Sequence, residues 1–292
     1  MSRFTILKFA LNLIPLLFAI LFTQVHHNRS TFLSKPSGEP ARVLLLTAHP
    51  DDECLFFAPT LLSLTQHRDP SPGGEKDQLD GAEVSSLCLS IGDADGLGLT
   101  RKWELAKSLD VLGVEEGRRW VLDSPDLKDN ITANWDPRTV ADVVRPYVLE
   151  HQINTILTFD TEGVSSHPNH ISLYHGISHL LSSTSTPTPL QAYSLITVPL
   201  HLKYLSFLTT LQPRITSFFP PSSIPNDVEA QRPNQKVKTE TVVFISGIRQ
   251  YFTALNAMMQ HRSQLVWFRW LYVAFSRYMW VNEWVEIVPV SQ

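Results

Sequence analysis

The spacing of apolar positions changes several times along the chain, and each change predicts an element. Val43, Leu44, Leu45 and Leu46 form an unbroken apolar run, as in a strand covered on both faces of a parallel sheet. "ECLFFAPTLLSL" then shows helical spacing from near Asp52, and "EVSSLCLSIG" reads as a second strand. "TRKWELAKSLDVLGV" predicts an amphipathic helix with Trp103, Leu105, Ala106, Leu109 and Leu112 inward, Thr100 as cap and Gly113 near its end. "RRWVLD" reads as a third strand. "DPRTVADVVRPYVLEHQ" reads as a helix with Pro137 in its first turn, and "INTILTFD" as a fourth strand. Strands and helices alternating at this spacing predict an α/β fold, a Rossmann-like, mostly parallel sheet with helices on both faces. Beyond about Thr184, "SSTSTPTPL" and "FFPPSSIPNDVEAQRPNQK" read as loops.

Two apolar segments stand outside this alternation. "FALNLIPLLFAILFTQV", Phe9 to Val25, carries no charge, has no polar face and follows Arg3 and Lys8. It sits at the short end of the roughly 17–25 residues that span a bilayer. No small-residue cleavage pattern follows it, so it predicts an uncleaved transmembrane anchor over residues 1–30, ahead of a folded domain at 40–292. "HRSQLVWFRWLYVAFSRYMWVNEW" holds Trp267, Trp270, Trp280 and Trp284, with Arg262, Arg269 and Arg277 seven and eight residues apart. One continuous helix would gather the three Arg on one face, predicting a membrane-interfacial segment; a buried core helix is the alternative.

Charge and cysteine content narrow the class. A net charge of −4 gives no reason to expect nucleic acid as a partner. Cys54 and Cys88 are the two cysteines, both within apolar runs, which suits a reducing compartment. The sequons at Asn28 and Asn130 carry no meaning on a cytosolic face.

The polar residues fall at strand carboxyl ends, the edge where open α/β sheets bind ligands. "HPDDE" follows the first strand and "TEGVSSHPNH" the fourth. His49 and Asp52 are three residues apart at a helix start and can converge, which leaves Asp51 directed elsewhere as a free base. His167 and His170 have the same spacing. Two imidazoles and a carboxylate around an open position suit a catalytic zinc site. Asp160 ends a strand and can orient a ligand histidine.

Together with "GDADGLGLTRKWELAKSLDVLGV", "TFDTEGVSSHPNHISLY" and the C-terminal aromatic segment, these motifs resemble the LmbE-like zinc de-N-acetylases. They are most similar to the eukaryotic PIG-L branch, which acts on N-acetylglucosaminyl-phosphatidylinositol in GPI-anchor synthesis. The resemblance implies that His49, Asp52 and His170 hold zinc or another divalent metal. It implies Asp51 as general base and His167 as the group that steadies the acetamide oxygen and protonates the leaving amine. Arg101 would neighbour the substrate and contact phosphate or inositol. Asn169 stands where many bacterial relatives carry Asp, so the charge that tunes His167 is expected to be weaker. The implied substrate is the membrane glycolipid, and the implied location is the endoplasmic reticulum membrane, single-pass, with the catalytic domain facing the cytosol. A deacetylase of another N-acetyl amino sugar and a catalytically silent membrane scaffold are the alternatives.

Overall fold

A computed structural model of the chain describes residues 23–28, 30–33, 41–65, 82–183, 189–210 and 241–288. The strands are β1 (Val25–His27), β2 (Arg42–Thr47), β3 (Glu83–Cys88), β4 (Arg119–Val121), β5 (Thr155–Phe159), β6 (Gln191–Leu195), β7 (Val242–Ile245) and β8 (Val281–Glu286). They form one sheet in the order β1-β7-β8-β6-β5-β2-β3-β4. From β4 to β6 the neighbours are parallel, while β8, β7 and β1 extend the sheet antiparallel. The apolar run Val43–Leu46 is fully buried in β2, as a strand inside a doubly covered sheet requires.

The helices include α1 (Ser30–Leu33), α2 (Asp52–Leu55), α3 (Ala58–Thr65), α4 (Gly98–Val111), α5 (Pro137–Glu150), α6 (Gly163–Ser166), α7 (Pro168–Ser183), α8 (Leu200–Lys203), α9 (Ile248–Met258) and α10 (Trp267–Phe275). The chain leaves β2 towards β3 and β4, then returns to lay β5 and β6 on the other side. Right-handed crossovers therefore place α3 and α4 on one face and α5 and α7 on the other. The packing agrees: α5 lies against α7, and α9 packs on α2, α3 and α4. The reversal of strand order at β2 makes its carboxyl end the crevice in which such sheets bind ligands.

Several expectations change. The helix read from Asp52 is two helices, broken at Phe56 and Phe57. Asn282 stabilises the break by donating to Phe56 O (2.7 Å) and accepting from Thr60 N (3.1 Å). Helix α4 turns Trp103 outward at 61 % exposure, with the Lys107 ammonium 3.3 Å from its ring centre. Its buried face carries Arg101, Glu104 and Ser108 beside Leu105 and Leu109, and Leu97 rather than Thr100 precedes its first turn. Leu105, Leu109 and Leu112 are buried as the apolar periodicity predicts, but Trp103 and Ala106 are exposed, because the buried face is completed by polar residues that have buried partners.

The C-terminal aromatic segment is not one helix. It divides into a turn at Arg262–Gln264, helix α10, a turn at Arg277–Met279 and strand β8. Its three arginines therefore share no face: Arg269 reaches Asp51, and Arg277 pairs with Glu283 at 3.0 Å. Trp284 is fully buried, stacked on Phe57 and donating to Thr60 Oγ1, whereas Trp267 and Trp270 are exposed.

At the other end, Val25 lies in β1 and pairs with Ile245, and Phe32 is buried against Tyr193 and Phe244. Residues 1–22 of the expected anchor lie outside the described residues. Among the described residues no helix is long and apolar enough to cross a membrane.

Candidate active site

Strand β2 delivers its polar sequel directly into the crevice. Asp52 Oδ2 accepts from Ala48 N (3.0 Å) and His49 N (2.9 Å), which fixes this carboxylate at the strand's end. Asp51 has φ 105°, a backbone conformation that costs a non-glycine residue about 1–3 kcal/mol. Its N–H donates to Glu53 Oε2 (3.0 Å), and its carboxylate meets Arg269 Nη2 at 3.0 Å and Arg101 Nη2 at 3.9 Å. The twist is what sends two adjacent carboxylates in different directions.

The second cluster is built on another strained turn. Gly163, Val164 and Ser166 all have positive φ, at 59°, 57° and 59°. Asp160 holds this loop by accepting from Gly163 N (2.9 Å) and from Thr197 N and Oγ1, and Val164 N donates to Thr197 Oγ1 (2.9 Å). The result places Gly163 O 3.0 Å from His170 Nδ1. Asp160 thus orients His170 through the loop rather than by touching it. The His170 ring stacks flat on Phe159, with centroids 4.0 Å apart.

His170 tests whether the site suits a cation. With Nδ1–H donated to Gly163 O, the lone pair of Nε2 faces inward. That buried nitrogen has no hydrogen-bond partner. It lies 3.2 Å from Asp52 Oδ1, so two electron-rich atoms confront each other across the spacing of two ligands on one ion. Burial alone would lower the His170 pKa, but the Asp52 carboxylate outweighs it and raises it. Burial would raise Asp52, but His170 and His49 hold it well below the usual carboxylate range. Both shifts report a place that attracts positive charge. His49 donates its Nε2 proton to Asn169 Oδ1 (3.0 Å), beside Asp129 Oδ1 (3.2 Å), which leaves Nδ1 for a ligand. One ring nitrogen from each of His49, His167 and His170 lies within 4.8 Å of the others, and Asp52 Oδ1 adjoins this group 3.2 Å from His170 Nε2. These residues therefore fit a divalent metal ion.

His167 differs from its neighbours. Its Nδ1 accepts from Asn169 N (3.2 Å), so in the neutral ring the proton sits on Nε2. Burial and the nearby His49 and His170 rings push its pKa down to about 4. Asp51 goes the other way: burial raises its carboxyl, and Arg269 and Arg101 offset only part of that. The site thus holds a carboxylate inclined to take a proton beside an imidazole that presents one.

The structure brings together His49, Asp51, Asp52, His167 and His170 around a cavity of about 720 Å³, with Arg101 also in its wall. Arg101 serves mainly within the protein: it donates to Pro50 O (2.7 Å), Gly92 O (2.8 Å) and Asp129 Oδ2 (3.3 Å), locking the loop beneath Asp51. Asn169 does not engage His167 through its side chain, which instead joins His49, Asn130 N and Ala133 O. The anion near His167 is Asp129, 3.9 Å away. The sequence offered no sign of Asp129, which lies in a polar loop, or of Arg269, assigned there to a helix face. It also hid His261, whose Nε2 lies 2.7 Å from Glu53 Oε1 in a fully buried pair.

The profile of the GlcNAc-PI de-N-acetylase (PIG-L) family matches residues 44–181. N-acetylglucosaminyl-phosphatidylinositol de-N-acetylase of Bos taurus is 34 % identical over 245 residues, covering 84 % of this chain and 83 % of the bovine protein. The Arthroderma benhamiae protein of the same name is 32 % identical, covering 97 % of this chain and 98 % of its own. Among solved structures, N,N'-diacetylchitobiose deacetylase from Pyrococcus horikoshii superposes with a TM-score of 0.53 at 15 % identity, over 88 % of this chain and 87 % of that one, a likeness of fold.

Proposed function

The chain belongs to the GlcNAc-PI de-N-acetylase family, and from that premise and the site's geometry we propose how it works. It is an amide hydrolase that removes the acetyl group of N-acetylglucosaminyl-phosphatidylinositol, giving glucosaminyl-phosphatidylinositol and acetate in GPI-anchor synthesis. The observation that carries the mechanism is the unpartnered His170 Nε2 facing Asp52 Oδ1, with Asp51 and His167 on the same cavity wall. His49, Asp52 and His170 would hold the metal, and this nitrogen–oxygen donor set favours zinc. When bound, such an ion polarises the acetyl carbonyl and makes water easier to deprotonate.

The protein's own groups do the rest. Asp51 accepts a proton as water oxygen attacks the acetyl carbon. Arg269 and Arg101 aim that carboxylate and offset part of the burial that favours its protonated form. The Nε2–H of His167 steadies the negative charge that develops on the acetyl oxygen; once the proton taken by Asp51 has passed to this imidazole, the imidazolium supplies the proton that the departing amine nitrogen needs. The C–N bond breaks, acetic acid leaves and gives its proton to the amine or to water to become acetate, and Asp51 and His167 are back in their starting forms. Acetate release from the glycolipid, with and without chelator, tests the reading. Asp51→Asn should abolish turnover while the metal content stays; full activity in that variant would refute the base assignment.

We further place the chain in the endoplasmic reticulum membrane, crossing once through the charge-free run that begins at Phe9, with the catalytic domain in the cytosol. The two free cysteines and the lipid substrate support this. Asn130, exposed beside the site, should then carry no glycan. A glycosidase-sensitive mass shift that vanishes in Asn130→Gln would overturn the orientation.

A further inference from the structure

The cavity's rim has an unusual composition. Helix α10 has one fully buried side chain, Val273, and presents large apolar groups to solvent. Trp267 is 75 % exposed, and Trp270, Leu271 and Phe275 are exposed beside it. A second segment, 200–208, does the same, with Leu200 71 % exposed and Phe207 and Leu208 also outward. A globular protein usually turns such a face inward. Large exposed apolar patches mark interaction sites.

The two segments form one surface. Ser206 Oγ donates to Ala274 O (2.8 Å), and the Tyr204 and Tyr272 rings meet at 6.4 Å. The surface is fixed to the site, because Arg269 of α10 holds Asp51 and Tyr251 Oη donates to Val273 O (3.2 Å). It also surrounds the opening: Tyr204, Phe268, Leu271 and Phe275 are exposed and line the cavity.

We propose that this face docks onto an anionic phospholipid bilayer and so holds the mouth of the active site against the lipid headgroups. The inference rests on the glycolipid reading of the substrate, whose acyl chains stay in the bilayer. Charge selects the partner. Residues 196–210 and 261–280 contain no Asp or Glu, although the chain as a whole is at −4. Arg262 is exposed beside the apolar groups, Lys203 is half-buried with its ammonium donating to Val164 O, and Arg269 is turned inward to Asp51. Tryptophan and basic side chains beside aliphatic ones suit the headgroup level of a membrane. A second copy of the chain is a poorer occupant, because a two-fold contact would press the same basic face against itself.

The test uses the full chain and the double variant Trp267→Ser/Trp270→Ser, neither residue lining the cavity. Residues 1–22 contain no tryptophan, so fluorescence quenching by brominated acyl chains does not report on that segment. In phosphatidylcholine vesicles containing phosphatidylinositol, brominated lipid should quench the wild-type emission, and the double variant should lose most of that quenching. Its kcat/KM on vesicle-borne N-acetylglucosaminyl-phosphatidylinositol should fall about tenfold or more, and on the deacylated, water-soluble headgroup it should not change. Equal quenching of the two proteins, equal vesicle activity, or equal losses on both substrates would overturn the proposal. So would an unquenched wild type that sediments as a dimer, which would mark the face as a protein contact. If the wild type cleaves neither substrate, the glycolipid reading fails, and quenching alone still decides the docking.

Discussion

Replacing Glu53 by glutamine probes how the strained Asp51 is held. Glu53 is fully buried, and three donors converge on it: Asp51 N (3.0 Å), His261 Nε2 (2.7 Å) and Ser108 Oγ. Glutamine keeps the shape but replaces one acceptor oxygen with a donor. With its oxygen kept towards His261 and Ser108, its amide faces the Asp51 N–H, and that buried donor loses its partner at about 1–3 kcal/mol. The same bond helps hold φ at 105°, where the backbone strain is also about 1–3 kcal/mol. Once released, Asp51 gains by relaxing, and its carboxylate leaves the position from which it takes the proton. A bias of that size lowers the competent population, and hence kcat, roughly 5- to 150-fold. The metal content should not change, because Asp52 is fixed by Ala48 N and His49 N rather than by Glu53. Acetate release at saturating substrate, metal analysis and thermal melting on the same preparation make the measurement. A Glu53→Gln enzyme with kcat within about twofold of wild type and an unchanged Tm would refute the reasoning.

The Glu53–His261 pair also predicts a pH dependence of stability. Burial opposes both charges, but the pairing wins, lowering Glu53 below 4.5 and raising His261 above 6.5. The Glu53 contribution is present above 4.5 and lost as pH falls through its folded pKa, and that of His261 is present below 6.5 and lost as pH rises through its own. The Tm difference between wild type and His261→Gln should therefore be greatest between those values and shrink on either side; a flat difference would contradict the pairing. Gly163→Ala should weaken metal binding about tenfold or more, since its Cβ would lie 2.9 Å from His170 Cβ at a φ of +59°; unchanged affinity in a chelator titration would count against the loop's role. Trp284→Ala should cost about 3–5 kcal/mol in a denaturant melt, as a buried core residue would, whereas a near-neutral result would return that residue to the surface.

The sequence was sufficient where the physics is local. Four consecutive apolar residues, Val43–Leu46, specify a strand buried on both faces, and the charged residues just after it must then lie at the sheet's edge. The three-residue spacings of His49 to Asp52 and of His167 to His170 place each pair at a helix start, and the α/β alternation follows from short periodic segments. Longer-range choices were not legible. The segment from His261 to Trp284 reads as one apolar helix, yet the fold divides it: Trp284 fills the core against Phe57 while Trp267 faces out. That choice depends on β8 inserting between β6 and β7, and no local pattern encodes it. The same holds for the partners of the catalytic groups. Asp51 is held by Arg269, 218 residues away, Glu53 by His261 at a separation of 208, and His49 by Asn169 at 120. Chemistry-bearing residue types can be recognised one at a time, but a buried charge is stable only with its complement, and which residue supplies that complement is decided by the packing of distant segments.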